Sequence, residues 1–325
     1  MAKAIKELLI NRLASGEFVS GQALGDEIGV SRAAISKQIN SLADMGLDIF
    51  RVTGKGYKLV TPIELLDKTF ISNTLTKNNI HSTFEIHNII DSTNDYLMRR
   101  IPNQVQNGQV CIAEYQSSGR GRRGRQWISP FGSHIYMSMY WFLPQGMTAA
   151  MGLNTIVALA ISDALNSLYK INVQLKWPND IYLKGLKLAG ILIDLEGSPN
   201  EPCHVVIGLG LNLNMPDKSG LQVDQPWTDL QQHTSKTINR NSLVAEIIKR
   251  LISRLEQHKE TGLENVIDQW NEQDYFYDKP VRLVTGTNET YGICKGINEQ
   301  GALLLEVDNV IKIIYGGEVS LRGVK

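Results

Sequence analysis

Apolar positions divide the chain into stretches with different periods. Ile5, Leu8, Leu9 and Leu13 recur at helical spacing, as do Leu24 and Ile28, then Ile35, Ile39 and Leu42. Ser20 and Ser31 stand where side chains would cap the second and third helices, and Gly29 permits a sharp turn between them. Phe50 to Leu59 then alternates around Thr53-Gly54-Lys55-Gly56, which predicts a hairpin. Three helices with a glycine turn, followed by a hairpin, predict a winged helix-turn-helix over residues 1–62.

After Pro62, the polar run Thr69 to Ser82 reads as a linker region containing a helix. From 68 to 277, short apolar strands alternate with longer helical runs. The predicted strands are Phe84–Ile90, Gln109–Tyr115, Ile135–Phe142, Val173–Lys176, Ile181–Leu183, Leu188–Glu196 and His204–Leu213. The predicted helices are Asn94–Arg100, Thr148–Tyr169 and Asn241–Lys259. Strands outnumber helices and several join by short turns, so the class is α+β with a mixed sheet rather than a doubly wound one. Beyond Lys279 only short strands remain: Val281–Val284, Tyr291–Ile297, Ala302–Val307 and Ile311–Tyr315, then a tail through Ser320-Leu321-Arg322. That pattern predicts a small SH3-like β-barrel over 278–325.

Composition narrows the function classes. Lys+Arg and Asp+Glu are 33 each, so any polyanion binding must come from local imbalance. One such imbalance lies at 31–58, where Arg32, Lys37, Arg51, Lys55 and Lys58 face only Asp44 and Asp48. With the polar start of the third helix, this favours DNA contact through Ser31, Arg32, Ala33, Ser36, Lys37, Gln38 and Lys55 over a module that binds only protein. The three cysteines, Cys111, Cys203 and Cys294, have neither metal nor disulfide spacing and fit a reducing cytosol. The first ten residues lack a signal peptide's apolar core. The uncharged stretch Met147 to Ser162 is interrupted by polar residues and reads as a buried helix rather than a membrane span.

The richest chemistry lies in Gly119-Arg120-Gly121-Arg122-Arg123-Gly124-Arg125-Gln126-Trp127, with four arginines and three glycines in nine residues. Glycines let the backbone approach a ligand closely, and guanidinium forks match carboxylate or phosphate. Gly/Arg runs also occur in disordered RNA-binding tails, but those are long and repetitive. This one is short and lies between predicted buried strands, so it belongs to a folded domain. Its clustered charge predicts a loop that is disordered when empty and ordered around an anion.

Four further motifs are individually weak. Asp91-Ser92-Thr93-Asn94 serves equally as a helix cap or as a ligand-facing strand end. Lys176-Trp177-Pro178-Asn179-Asp180 groups polar side chains on a rigid turn, Lys187 opens an apolar strand, and Gly208-Leu209-Gly210-Leu211-Asn212 closes another. In this order, with Gln116 ahead of the arginine-glycine loop, they resemble the biotin protein ligases. The N-terminal helix-turn-helix is similar to that of the bifunctional bacterial members, which are ligase and biotin operon repressor in one chain.

The resemblance implies a two-step reaction. Biotin and Mg-ATP give biotinyl-5′-adenylate and pyrophosphate. A lysine of a carrier, typically the biotin carboxyl carrier protein of acetyl-CoA carboxylase, then takes the biotinyl group. It implies Ser92, Thr93, Gln116 and Arg120 at the biotin end, with Asn94, Gly119 and Gly121 beside them and Trp127 against the ligand. It implies Asn179, Asp180 and Asn212 on the nucleotide and metal side, and Arg322 reaching ATP from the small barrel. Arg122 and Lys187 are the candidates for holding two anions together. Mg²⁺ is expected with ATP, with Asp180 the one candidate side-chain ligand. The adenylate is expected to be the corepressor of an operator-binding homodimer, assembled by pairing of central-domain strand edges.

Three rivals remain at this point. A lipoate–protein ligase would share fold and adenylation, and turnover on lipoate would reveal it. A sensing repressor without catalysis would transfer no biotin to a carrier. A ligase whose first domain has lost DNA binding would not bind an operator.

Overall fold

The computed structural model describes residues 2–198, 201–317 and 319–324. Helices α1 (Ala2–Leu13), α2 (Gly21–Ile28) and α3 (Arg32–Leu42) pack through Leu9, Leu13, Leu24, Ile35 and Leu42, all fully buried. Ser20 accepts from the backbone N–H of Gln22 and Ala23, Ser31 accepts from Ala34, and Gly29 takes a φ of 75° between α2 and α3. Strands β1 (Ile49–Val52) and β2 (Gly56–Leu59) form the wing. The predicted winged helix-turn-helix is therefore present.

It is docked on the rest of the chain. Phe131 enters the helical core at 1% exposure, and its N–H donates to the Met45 carbonyl at 2.8 Å. The connecting segment is held by a buried pair: Arg240 reaches Glu114, which also accepts from Leu66 N–H at 2.6 Å. Asp67 then caps α4 (Lys68–Lys77).

The central sheet has seven strands in the order β3-β4-β5-β9-β8-β7-β6. In chain order these are β3 (Phe84–His87), β4 (Val110–Ala113), β5 (His134–Leu143), β6 (Gln174–Lys176), β7 (Asp180–Leu183), β8 (Leu186–Glu196) and β9 (Cys203–Asn212). Only β3–β4 is parallel, so the sheet is mixed, as the pattern predicts. Helix α5 (Thr93–Met98) lies on one face of the sheet, and α6 (Leu153–Tyr169) lies on the other. The chain continues through α7 (Asp217–Gly220), α8 (Arg240–Thr261), which packs against α6, and α9 (Ile267–Gln273). The stretch Met147–Tyr169 is apolar enough to pass a membrane-span test by composition, yet α6 is buried in this core.

Several boundaries differ from the sequence expectation by a few residues, two of them through a break or an early end. The helix predicted from Thr148 is broken at Gly152, whose φ of 81° separates a short 3-10 turn from α6. A Cβ there would sit 2.4 Å from Leu263, so the break is tied to packing. Strand β3 ends at His87 rather than Ile90, which makes only an isolated bridge to Gln116.

The last five strands are β10 (Pro280–Thr285), β11 (Asn288–Ile297), β12 (Leu303–Val307), β13 (Val310–Ile314) and β14 (Val319–Gly323). They form an antiparallel sheet in the order β13-β12-β11-β10-β14, irregular between Cys294 and Ile297. Among the described residues no ladder joins β13 to β14, so the expected small barrel is open along that seam.

Candidate active site

Period two along β9 positions the site. Ile207, Leu209 and Leu211 point into the core under α6, so Gly208, Gly210 and Asn212 share the opposite face. The absence of side chains there is what makes room. A Cβ on Gly208 would lie 2.2 Å from Asn94 Oδ1, and one on Gly210 would lie 2.3 Å from the Trp127 ring. Gly190, paired to Gly210 on β8, also meets that ring, with a Cβ distance of 3.0 Å. The glycines thus seat an amide and an indole flat on the sheet, and these form part of the wall of a cleft of about 320 Å³.

At one end, the start of α5 carries the Ser-Thr-Asn motif. Ser92 caps the helix, accepting from Asp95 N–H at 3.3 Å, so the capping role is real. Ser92 also lines the cleft, so the ligand-facing role is open to it as well. Thr93 donates its N–H to Gln116 Oε1 at 2.9 Å and shares a hydroxyl contact with Ser138 at 2.7 Å. Asn94 donates to Leu192 O at 3.2 Å and to Asp194 at 3.0 Å. Gln116 donates in turn to Ser129 at 3.2 Å. These are buried, mutually satisfied groups of fixed orientation, the condition for selective recognition of a polar ring.

The arginine-glycine loop is folded in this structure. Gly121 N–H donates to Arg125 O at 2.7 Å and Trp127 N–H to Gly119 O at 2.8 Å, giving a small hairpin. Gly119 lies behind the cleft wall, where a Cβ would be 2.6 Å from Trp127 O. The charges expected to hold the loop open are partly met by partners. Arg120 sits 2.6 Å from both Asp95 and Asp194. Arg122 donates to Asn179 Oδ1 at 2.9 Å and to the Gly317 carbonyl, bridging the loop to the last domain. Burial works against the charge of Arg122.

Lys187 lies 2.7 Å from Asp180 Oδ1, an ion pair not aligned as a hydrogen bond, and 5.7 Å from the Trp127 ring centre. Asn179 is fixed by donating to Ile191 O at 2.8 Å, and Asn212 by donating to Thr228 O at 3.1 Å. Two fixed cations, Arg122 and Lys187, therefore line one cleft with a polar pocket at its end. Burial pushes the Cys294 thiol up to about 12 and raises those of Cys111 and Cys203, which disfavours thiolate chemistry.

Family models match three parts of the chain: an HTH domain at 5–58, the biotin/lipoate A/B protein ligase family at 86–212, and the biotin protein ligase C terminal domain at 276–322. The bifunctional ligase/repressor BirA of Salmonella typhimurium is 46% identical over 97% of this chain and 96% of its own length. The chain belongs to the biotin protein ligase family. The biotin–[acetyl-CoA-carboxylase] ligase of Paracoccus denitrificans is 31% identical over 72% of this chain and 98% of its own. Among solved structures, the Aquifex aeolicus biotin protein ligase in complex with biotin and ATP superposes with a TM-score of 0.63 at 27% identity. It covers 74% of this chain and 99% of that one.

Within this biotin protein ligase fold, two expected residues lie apart from the cleft. Gly119 supports the loop from behind, and Arg322 is exposed on β14, whose Val319 to Leu321 line the cleft. Sequence reasoning missed the segment 215–227, which contributes Met215, Val223 and Trp227 to the wall. Its signal was a tryptophan stranded in a polar loop. Gly220 marks its seat, since a Cβ there would be 2.5 Å from the Trp227 ring.

The DNA-facing candidates stand on α3 and the wing. Ser31, Arg32, Ala33, Lys37 and Lys55 are exposed, while Ser36 and Gln38 are half-buried. Lys55 and Lys58 also approach the ring of Phe18, at 5.9 and 5.7 Å.

Proposed function

We propose that the chain joins biotin to ATP as biotinyl-5′-adenylate and transfers the biotinyl group to a lysine of the biotin carboxyl carrier protein of acetyl-CoA carboxylase. With the adenylate bound, it represses the biotin operon as a cytosolic homodimer. The observation carrying this reading is a single cleft that places a rigid polar pocket beside two fixed cations, in a chain that begins with a docked winged helix-turn-helix.

The biotin ring lies at the Ser92, Thr93, Gln116 and Arg120 end, with Asn94 and Gly121 beside it and Trp127 covering it. The adenosine part lies toward Asn179, Asn212 and Trp227, and Arg322 reaches the phosphates from β14. Arg122 and Lys187 hold the biotin carboxylate and the α-phosphate in contact and oppose the charge that grows as they react. For Mg²⁺, Asp180 is already committed to Lys187, and the described residues contain no cluster of three acidic, His or Cys side chains. An Mg²⁺ carried in with ATP would neutralise phosphate charge, with Asp180 its candidate side-chain ligand.

For the dimer, the surface favoured by geometry is an inner strand rather than the outer edges. Strand β7 pairs with β8 only as far as Gly190 and Asn179 takes both backbone groups of Ile191, so the free edge opposite β9 runs over residues 192–196. Arg120 grips Asp194 within that segment, so loop and edge are physically joined. The same edge receives the carrier, which then competes with a second subunit. The initial assay is operator binding and carrier biotinylation by one preparation; loss of either at full adenylate occupancy would falsify the bifunctional reading.

Three outcomes follow. Gly210→Ala overpacks the Trp127 seat, which costs roughly 1–3 kcal/mol, so the KM for biotin rises about fivefold or more. A KM within twofold of wild type would separate Trp127 from biotin binding. Trypsin cuts after Arg123 and Arg125, both exposed, and biotin with ATP slows those cuts. Equal rates with and without ligands would show that the loop does not respond. Arg32→Ala and Lys37→Ala each weaken operator binding and lower its salt dependence by about one unit of slope, while carrier biotinylation stays intact. An unchanged salt slope would place the operator on another surface.

A further inference from the structure

Lys176 is unused by the account above, and its surroundings are unusual. It ends β6, lines the cleft and is half-buried. Its Nζ donates to the Tyr182 hydroxyl at 2.8 Å and lies 4.7 and 5.9 Å from the ring centres of Tyr182 and Phe276. No carboxylate among the described residues comes within ion-pair distance of it. Tyr182 supplies no charge, since burial and Asp180 push its phenol up to about 12. A buried cation normally has an anionic partner, because desolvating it alone is costly.

The neighbours sharpen the point. Burial lowers the Lys176 ammonium below its usual range, Asp180 opposes that shift, and the charges of Arg322 and Arg125 add to it. Neither arginine has an ion-pair partner among the described residues, and both are exposed where the arginine-glycine loop faces β14. Three cations thus act on one another where the central and last domains meet, and among the described residues the carboxylate that offsets Lys176 is Asp180, its partner across the ladder, which Lys187 already holds. A purely structural role at Lys176 would be served by an uncharged side chain of similar length, at lower cost.

We propose that Lys176, flanked by Arg125 and Arg322, is the receiving site for the pyrophosphate leaving group. The proposal rests on the adenylation reading. In that step a biotin carboxylate oxygen bonds to the α-phosphorus of ATP. The bond from that phosphorus to the bridging oxygen breaks, and its electron pair leaves on pyrophosphate. Charge on the departing oxygen grows as the bond lengthens. A cation held on aromatic faces, already partly stripped of water, is free to meet that charge without first leaving a carboxylate.

The test is biotin-dependent exchange of labelled pyrophosphate into ATP by the full chain. Exchange by the wild type supports the adenylation reading, and its absence would remove the reaction on which both claims rest. In Lys176→Met, the KM for pyrophosphate and its inhibition constant against adenylation rise about tenfold or more, as for loss of a charged hydrogen bond. The KM for biotin changes less than about threefold by the same reasoning, because the ring pocket is untouched. Lys176→Arg restores most of the pyrophosphate affinity. An unchanged pyrophosphate KM in a folded Lys176→Met, or an arginine variant as impaired as the methionine one, would overturn the assignment. If Lys176→Met does not fold, the exposed pair Arg125→Gln with Arg322→Gln decides. A raised pyrophosphate KM supports the site, and an unchanged one removes it.

Discussion

Lys187→Ala lowers the rate of adenylate formation about a hundredfold, the effect of removing about 3 kcal/mol of transition-state stabilisation. The side chain is 13% exposed and paired to Asp180, so its charge acts in a partly dried cleft. Its loss also strands the Asp180 carboxylate and removes the cation near the Trp127 ring, so some stability falls as well. Thermal unfolding separates the two effects, because the rate must fall in protein that is still folded. Arg122→Ala gives a rate loss of the same order and a higher KM for ATP, since it also unties the loop from Gly317. Lys184→Ala, at an exposed turn three residues away, is the control and stays near wild type. Single-turnover formation of the adenylate is the measurement, and a Lys187 variant within a few-fold of wild type would remove that residue from the chemistry.

Leu195→Lys uncouples the two functions. Leu195 is 39% exposed on the free half of β8, one residue from the Asp194 that Arg120 holds. In a twofold dimer joined at this edge the substitution acts twice, removing two apolar contacts and placing like charges near one another. At about 1.4 kcal/mol per decade, a loss of 1.5 kcal/mol or more weakens self-association at least about tenfold. The expected result is adenylate formation near wild type with poor dimerisation and poor operator occupancy. Ordering of the 119–127 loop around the adenylate should in turn strengthen wild-type pairing, which is a coupling free energy between cleft and edge. Sedimentation with and without biotinyl-5′-adenylate reads both. Unchanged self-association on adding the adenylate sinks the coupling, and a fully dimeric Leu195→Lys moves the interface elsewhere.

Much of this was legible in the chain because the signals were local. Ser20, Ser31 and Gly29 announce their caps and turn, and the apolar runs of β5 and β9 announce the sheet. The motif order brought most of the cleft into view, since each motif lies at a strand end or helix start facing one side of the sheet. What was hidden depends on distant partners. Gly152 breaks a helical run because Leu263, far along the chain, fills the space beside it. Gly208 and Gly210 read only as the close of an apolar strand, and the sheet shows that they seat Asn94 and Trp127. Trp227 belongs to none of the motifs, and Lys176 stands in one that gave it no role of its own. The partners of the arginine-glycine loop, Asp95, Asp194 and Gly317, were hidden for the same reason, since they lie outside it in sequence.

The central claim is tested most directly by intact-mass analysis of a biotin carboxyl carrier domain after incubation with the purified chain, biotin and Mg-ATP. The account predicts a gain of one biotinyl group on a single carrier lysine, dependent on both ATP and biotin and absent when that lysine is replaced. No gain, or a gain with lipoate in place of biotin, would contradict it.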